Sequence, residues 1–173
     1  MSIIAPDTLV PSFELGREDG TKFTEADLLG KRTVLVFYPF AFSPVCTSQL
    51  QVYTEALPEI TADGTVIYGV STDASFSQSA FREHLGVPIE QLSDFEPKGA
   101  ASKVFGAYFE PAGMTNRALV IVGDDGRVLW SYLAESPSRE SWRSPGSELD
   151  HRRACSKLSS ASLSARTPFD VGR

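Results

Sequence analysis

Cys46 is the residue whose setting points most directly to chemistry. It lies in the stretch FYPFAFSPVCTSQL, Phe37 to Leu50, just after an apolar run and behind Pro39, Ser43 and Pro44. A cysteine is a strong nucleophile only as thiolate. Unpaired backbone N–H groups and the positive dipole end at a helix N-terminus favour that anion. Pro44 suits the first turn of such a helix, where a missing N–H costs nothing. Ser43 suits the N-cap, with its hydroxyl within reach of the sulfur. The alternative is that Cys46 is a small buried hydrophobe at a strand end. The Pro-x-x-x-Ser-x-x-Cys spacing weighs instead for a reactive thiol at a strand-to-helix junction.

The elements that must position this thiol follow from the apolar pattern. Thr33–Tyr38 (TVLVFY) and Thr65–Ser71 (TVIYGVS) are continuous apolar, β-branched and aromatic runs, as expected for strands buried on both faces. A helix is predicted between them from about Val45 to Glu59, with Asp63-Gly64 closing the unit. Upstream, Phe13–Leu15 and Thr21–Phe23 flank the turn signal GREDG and read as a hairpin, followed by a helical turn over Glu25–Leu29 behind Thr24. Downstream, Ser75–Leu85 reads as a helix with Phe76, Ala80 and His84 spaced by four. A shorter helix is placed around Ala100–Phe105. Ala118–Val122, the turn GDDGR and Val128–Leu133 form a second hairpin. Strand, helix, strand, helix and hairpin together predict an α/β sandwich with a mixed sheet and a right-handed crossover.

Composition sets limits on function. The 173 residues suit one domain with a real core, and 42% hydrophobic and 22% charged residues are ordinary for a soluble globular chain. A net charge of -6 argues against nucleic acid or an anionic membrane surface as the main partner. MSIIAPDTLV lacks the features of a secretory signal, and no stretch has the roughly 18 apolar residues of a membrane span. A cytoplasmic location is the expectation. Two cysteines are too few for a disulfide framework, and with two scattered histidines, His84 and His151, they show no zinc-ligand spacing. There is no phosphate-binding glycine loop. Ser43 and Gln49, three residues to either side, exclude a C-x-x-C pair around Cys46, and Asp124-Asp125-Gly126 reads as a hairpin turn. Neither metal nor cofactor is called for.

PFAFSPVC resembles the peroxidatic motif of the peroxiredoxins, Pro-x-x-x-Thr/Ser-x-x-Cys, and the resemblance runs from about Pro6 to Ala134. LSDFEPKGAASKVFGAYFEPAGMTNRALVIV, Leu92–Val122, is similar to the corresponding region of the one-cysteine alkyl hydroperoxide reductase E group. The shared features are LSDF, a Gly-Ala before a short helix that ends in a Tyr/Phe-Gly step, and Ala-Gly then Asn-Arg before a strand. The resemblance implies a thioredoxin-like fold, a mixed central sheet flanked by helices. It also implies a thiol-dependent peroxidase acting on hydrogen peroxide and alkyl hydroperoxides. Cys46 would attack the O–O bond and become a sulfenic acid. Arg117 would hold the thiolate and the peroxide oxygens. Ser43 would hydrogen-bond the peroxide, and the backbone N–H groups near Val45 and Cys46 would complete the cradle. Pro39 would wall the pocket. Gln49, one turn after Cys46 where relatives often carry an acid, would support the arginine.

The same resemblance frames the second half of the cycle. A resolving cysteine five residues after the peroxidatic one is absent, since Gln51 stands there. Cys155, in RRACSKL, is the one other candidate; it lacks the usual Val-Cys-Pro setting and is read as a bystander, although Arg152, Arg153 and Lys157 would favour its thiolate. A one-cysteine mechanism is therefore expected. The partner would be a small thiol or a thioredoxin-, glutaredoxin- or mycoredoxin-like protein. A homodimer is expected, with Phe40 and Phe42 as anchors or as core. Residues 135–173 form a Ser-rich tail, with ten serines and seven Lys/Arg against five Asp/Glu, beside a body of nine against seventeen. This tail does not resemble the closing helix of the family, and is read as poorly ordered or an add-on to a 1–134 domain. Two readings compete with the peroxidase: a redox sensor or relay, and an inactive interaction module on the same fold.

Overall fold

The computed structural model describes residues 2–134. The proposed 135–173 tail, with Trp142, a helix considered over Ser147–Leu158 and Cys155, lies outside the described residues. The elements in order are β1 (Glu14–Gly16), β2 (Lys22–Thr24), a 3-10 turn (Glu25–Leu28), β3 (Thr33–Phe37), α1 (Pro44–Glu55), α2 (Leu57–Ile60), β4 (Val66–Ser71) and α3 (Ser75–Leu85). They continue with β5 (Glu90–Ser93), α4 (Ala100–Val104), β6 (Tyr108–Phe109), a second 3-10 turn (Glu110–Ala112), β7 (Met114–Thr115), β8 (Ala118–Val122) and β9 (Val128–Leu133). One seven-stranded sheet runs β2-β1-β5-β4-β3-β8-β9, and β6 and β7 form a separate ribbon.

The apolar run of β3 sits at the heart of this sheet, between parallel β4 and antiparallel β8. Its side chains alternate between two cores, as a pleated strand requires. Leu35 and Phe37 join Phe23, Tyr68, Val70, Leu92, Phe105 and Val120 on one face. Val34 and Val36 join Tyr53, Ile60, Ile67, Leu119 and Ile121 on the other. Both faces are buried, so the strand has no polar face to show, which is why its sequence reads as unbroken hydrophobicity.

The long helix expected to Glu59 is instead divided into α1 and α2 at Ala56. Pro58 is the physical reason: it lacks the N–H that would continue the ladder, and its ring crowds the preceding turn. In α3 the Phe76–Ala80–His84 row faces solvent, and Phe76 is 88% exposed. The core-facing residues are Gln78 and Phe81. The helix ends on Gly86 at φ 62, in the left-handed conformation that glycine adopts without a Cβ penalty.

One strand of the main sheet escaped the sequence reading, as did the two-residue strands β6 and β7 of the ribbon. β5 carries the polar residues Glu90, Gln91 and Ser93, which break the apolar pattern. Gln91 is nevertheless fully buried, because its amide is satisfied: Nε2 donates to Ile89 O at 2.8 Å and Oε1 accepts from Tyr38 Oη at 2.9 Å. Gly69 on neighbouring β4 makes the room, since a Cβ there would collide with the Gln91 amide. Just after β5, the buried Asp94 carboxylate accepts the N–H groups of Ala101 (3.0 Å) and Ser102 (2.7 Å) and so starts α4. Burial pushes the Asp94 carboxyl above the usual range, against the pull of those two donors. Among the described residues, no helix is long and apolar enough to cross a membrane.

Candidate active site

The parallel and antiparallel partners of β3 bring three chain segments to one end of the sheet. Phe37 pairs with Val70 of β4 and with Ala118 of β8. The residue just before β8 in the chain, Arg117, therefore lies beside the point where β3 gives way to the loop leading to α1. The loop runs through Pro39, which is buried, and turns at Phe42, whose φ of 62 is an uncommon conformation for a large side chain. Ser43 then takes the N-cap place, with its backbone extended (φ -71, ψ 141) and Pro44 opening the helix.

Cys46 is fully buried, packed with Tyr38, Leu50 and Phe81, with Ala41 and Leu85 against the same cluster. Its sulfur still has a polar partner. Arg117 Nη1 donates to Cys46 Sγ at 3.4 Å and to Gln49 Oε1 at 2.9 Å. Gln49 sits three residues beyond Cys46, on the same side of α1, and is itself buried. A neutral amide thus holds the guanidinium in place without competing for its charge. The base of Arg117 is held as well, its N–H donating to Asn116 Oδ1 at 2.8 Å and its carbonyl accepting Ala134 N–H at 2.9 Å.

Ser43 departs from the simple capping role. Its carbonyl accepts the Thr47 N–H at 2.9 Å, the first bond of the helix. Its hydroxyl makes no capping bond and is buried without a hydrogen-bond partner. A buried orphan hydroxyl costs free energy unless something completes it. The N–H groups of Val45 and Cys46 precede that first bond and have no acceptor within the helix. A buried sulfur and a cation are thus in contact, and an unpartnered hydroxyl and free backbone donors lie at the helix start within three residues of that sulfur in the chain. That set fits a small polar molecule on which negative charge develops.

Residues 6–131 match the model of the AhpC/TSA family. The chain belongs to that family. It is a peroxiredoxin, a thiol-dependent peroxidase by class. An alkyl hydroperoxide reductase C of Amphibacillus xylanus is 34% identical over 119 residues, 68% of this chain and 63% of that protein's length. An alkyl hydroperoxide reductase E of Mycobacterium tuberculosis is 30% identical over 105 residues, covering 61% of this chain and 69% of that one. The solved structure of peroxidoxin BcpB from M. tuberculosis superposes with a TM-score of 0.73 over 94% of this chain and 98% of that one, at 23% identity. That likeness bears on the fold alone, and it is the thioredoxin-like arrangement expected.

Within this peroxiredoxin the structure brings Cys46, Arg117 and Gln49 into contact, with Ser43 at the N-cap of α1, Val45 in its first turn and Pro39 buried in the loop before it; Cys155 lies outside the described residues. Gln51 is exposed on α1, and Cys46 is the one free cysteine among the described residues. The sequence reading passed over Asp73, in the loop after β4. Its Oδ2 accepts the Ala41 N–H at 2.8 Å, across to the loop that precedes Cys46. The available signal was the S-x-D pattern of Ser71 and Asp73 at a strand end, which marks a local side-chain turn.

Proposed function

We propose that Cys46 is the peroxidatic thiol and that Arg117, Ser43 and the first N–H groups of α1 form its peroxide cradle. The observation that carries this reading is Arg117 Nη1, placed between Cys46 Sγ and Gln49 Oε1; the unpartnered buried hydroxyl of Ser43, three residues before Cys46 in the chain, supports it. The Cys46 thiolate attacks one peroxide oxygen: an S–O bond forms, the O–O bond breaks, and the alkoxide or hydroxide takes a proton to leave as alcohol or water. Arg117 offsets the charge growing on the leaving oxygen, while Ser43 orients the peroxide. Pro39 keeps bulk water from the sulfur. Gln49 holds the arginine.

The sulfenic acid is then reduced from outside. A first external thiol releases water and forms a mixed disulfide with Cys46, and a second thiol displaces Cys46 and leaves as the oxidised pair. Small thiols and thioredoxin-, glutaredoxin- or mycoredoxin-like proteins all supply this chemistry. A thiol that must return to its reduced form fits a reducing compartment such as the cytoplasm.

The partner face is proposed at the same end. Phe40 and Phe42 are 39% and 54% exposed, and Phe42 packs on the Phe81 and His84 rings of α3, whose outer row continues to Phe76. An apolar face of this kind suits a second copy of the chain; sedimentation of the reduced protein should show a dimer that Phe76→Glu weakens. The test of the activity is rapid, stoichiometric loss of hydrogen peroxide on mixing with reduced protein. Cys46→Ser should abolish it, and intact mass should show one or two added oxygen atoms confined to Cys46. Peroxide loss that survives Cys46→Ser would overturn the reading, and a Cys46–Cys155 disulfide would overturn the one-cysteine cycle. Steady-state turnover with a thiol donor separates a peroxidase from a relay.

A further inference from the structure

The loop that precedes Cys46 is not held by its own residues. The Ala41 N–H donates to Asp73 Oδ2 at 2.8 Å, and Asp73 belongs to the loop between β4 and α3. The same carboxylate oxygen accepts Ser71 Oγ at 2.8 Å. Ser71 is fully buried and in turn accepts Gln78 Nε2 at 2.8 Å, while that same nitrogen donates to Leu92 O at 2.9 Å. The Asp73 carbonyl accepts Ser93 Oγ at 2.6 Å. Asp73 is thus braced from β4, α3 and β5, and spends its one outward bond on the Cys46 loop.

That bond falls where the loop is least able to hold itself. The next residue, Phe42, sits at φ 62, a conformation that costs free energy for a large side chain and persists only when its surroundings impose it. Ala41 packs against the cluster of Tyr38, Cys46, Leu50 and Phe81 that buries the sulfur. Two residues further on is Ser43, whose unpartnered hydroxyl must face the peroxide.

We propose that Asp73 is a positioning residue for the peroxide reaction: through the Ala41 N–H it holds the Pro39–Ser43 loop closed over Cys46 and keeps the Ser43 hydroxyl and first N–H groups of α1 in place. Asp73 touches neither sulfur nor substrate. The proposal rests on the reading of Cys46 as peroxidatic thiol, but its effect on the loop can be measured apart from that reading. Loss of the bond has two opposite consequences. The cradle loosens, so peroxide reacts more slowly. The cover over the sulfur loosens too, so a bulkier reagent reaches it faster. A residue needed only for stability would not split the two rates in this way.

The test uses the full chain with Asp73→Ala and Asp73→Asn, and Val128→Ala, at the far end of the sheet, as a control for lost stability alone. Oxidation of Cys46 by hydrogen peroxide is followed by stopped flow, and capture of Cys46 by iodoacetamide by intact mass. Asp73→Ala should oxidise about tenfold more slowly and alkylate about tenfold faster, since a charged hydrogen bond of ordinary strength is worth about that factor. Asp73→Asn keeps the size and one acceptor oxygen, and should show about threefold in each direction. Val128→Ala should shift neither rate by more than about twofold. Should Asp73→Ala not fold, Asp73→Asn alone is read by the same signs. Oxidation at the wild-type rate in a folded Asp73 variant would overturn the proposal, as would alkylation no faster than in Val128→Ala. If the wild-type protein does not react with peroxide at Cys46, the peroxidase reading fails, while the alkylation rates still decide whether Asp73 holds the loop.

Discussion

Arg117→Met removes the guanidinium while keeping a side chain of similar length. Two unit charges 3.4 Å apart attract by about 5 kcal/mol at an effective dielectric constant of 20. That figure bounds the pull of Arg117 on a thiolate, but it is not the catalytic gain. Attraction to a thiolate before the attack stabilises the ground state, and only the share that grows in the transition state speeds the reaction. As the O–O bond breaks, charge moves from sulfur to the leaving oxygen. A cation held beside both by Gln49 can follow it without reorganising. Removal of one such preorganised donor elsewhere costs about 10² to 10³ in rate, about 2.7–4 kcal/mol. The stopped-flow rate of Cys46 oxidation in Arg117→Met should therefore fall by about 10² or more. Iodoacetamide alkylation separates the two contributions, because its leaving iodide has no place in the cradle. Alkylation should fall less than oxidation, by a margin of about tenfold. Equal losses in the two assays would mean that Arg117 acts on the sulfur alone, and the assignment of its second role to the leaving oxygen would be refuted.

Other expectations follow from the same geometry. Ser43→Ala should slow oxidation by hydrogen peroxide about tenfold yet leave the melting temperature almost unchanged, because the hydroxyl makes no capping bond. A stability loss of about 1 kcal/mol with an unchanged rate would instead mark an ordinary N-cap. Phe81→Ala should cost about 3–5 kcal/mol in chemical denaturation, since a fully buried ring against Tyr38, Phe42 and Cys46 would leave a cavity beneath the site. Asp27 is held below the usual carboxylate range, chiefly by accepting the Thr24 N–H at 2.8 Å. A depressed folded-state value means stability that is present above the unfolded value near 3.8 and lost as pH falls below it. Stability curves should therefore show Asp27→Asn losing part of its dependence on pH in that acid range, and an unchanged acid limb would contradict the capping role.

How much of this was legible beforehand depended on whether a residue's role is written in its neighbours along the chain. β3, β4, α3, β8 and β9 were placed within a residue because continuous apolar runs and a G-D-D-G-R turn are local signals. Cys46, Ser43 and Pro39 were equally local, three residues at fixed spacing around one junction. Arg117 was found only through the resemblance, since an arginine before a strand carries no sign of what lies across the sheet. β5 was missed because Gln91 looks like a surface residue; only its bonds to Tyr38 and Ile89 make it a core one. Asp73 was missed for the same reason, its partner being the backbone of a residue 32 positions away. The outward row of α3 shows the limit of periodicity: spacing by four identified a helix correctly and gave no indication of which face was buried.

The register of β3 explains why the chemistry collects where it does. β3 and β4 are parallel, so their chain-forward ends share one edge, and Tyr38 N–H still bonds Val70 O at 3.0 Å beyond the end of the strand. β8 runs the other way, so that its beginning, and Arg117 with it, reaches the same edge. One sheet end therefore receives a helix start from β3, a cation from β8 and a bracing carboxylate from β4. None of the three is part of a strand, so each can be exchanged without disturbing the two cores that β3 joins. The burden of keeping them in contact falls on a few bonds: Arg117 to Gln49 and Cys46, and Asp73 to Ala41. A loop under backbone strain at Phe42 and tied through Ala41 to Asp73 can hold a buried sulfur in place. It can also be released by the loss of one tie, which is the property a thiol needs if a small peroxide is to reach it first and a larger reductant afterwards.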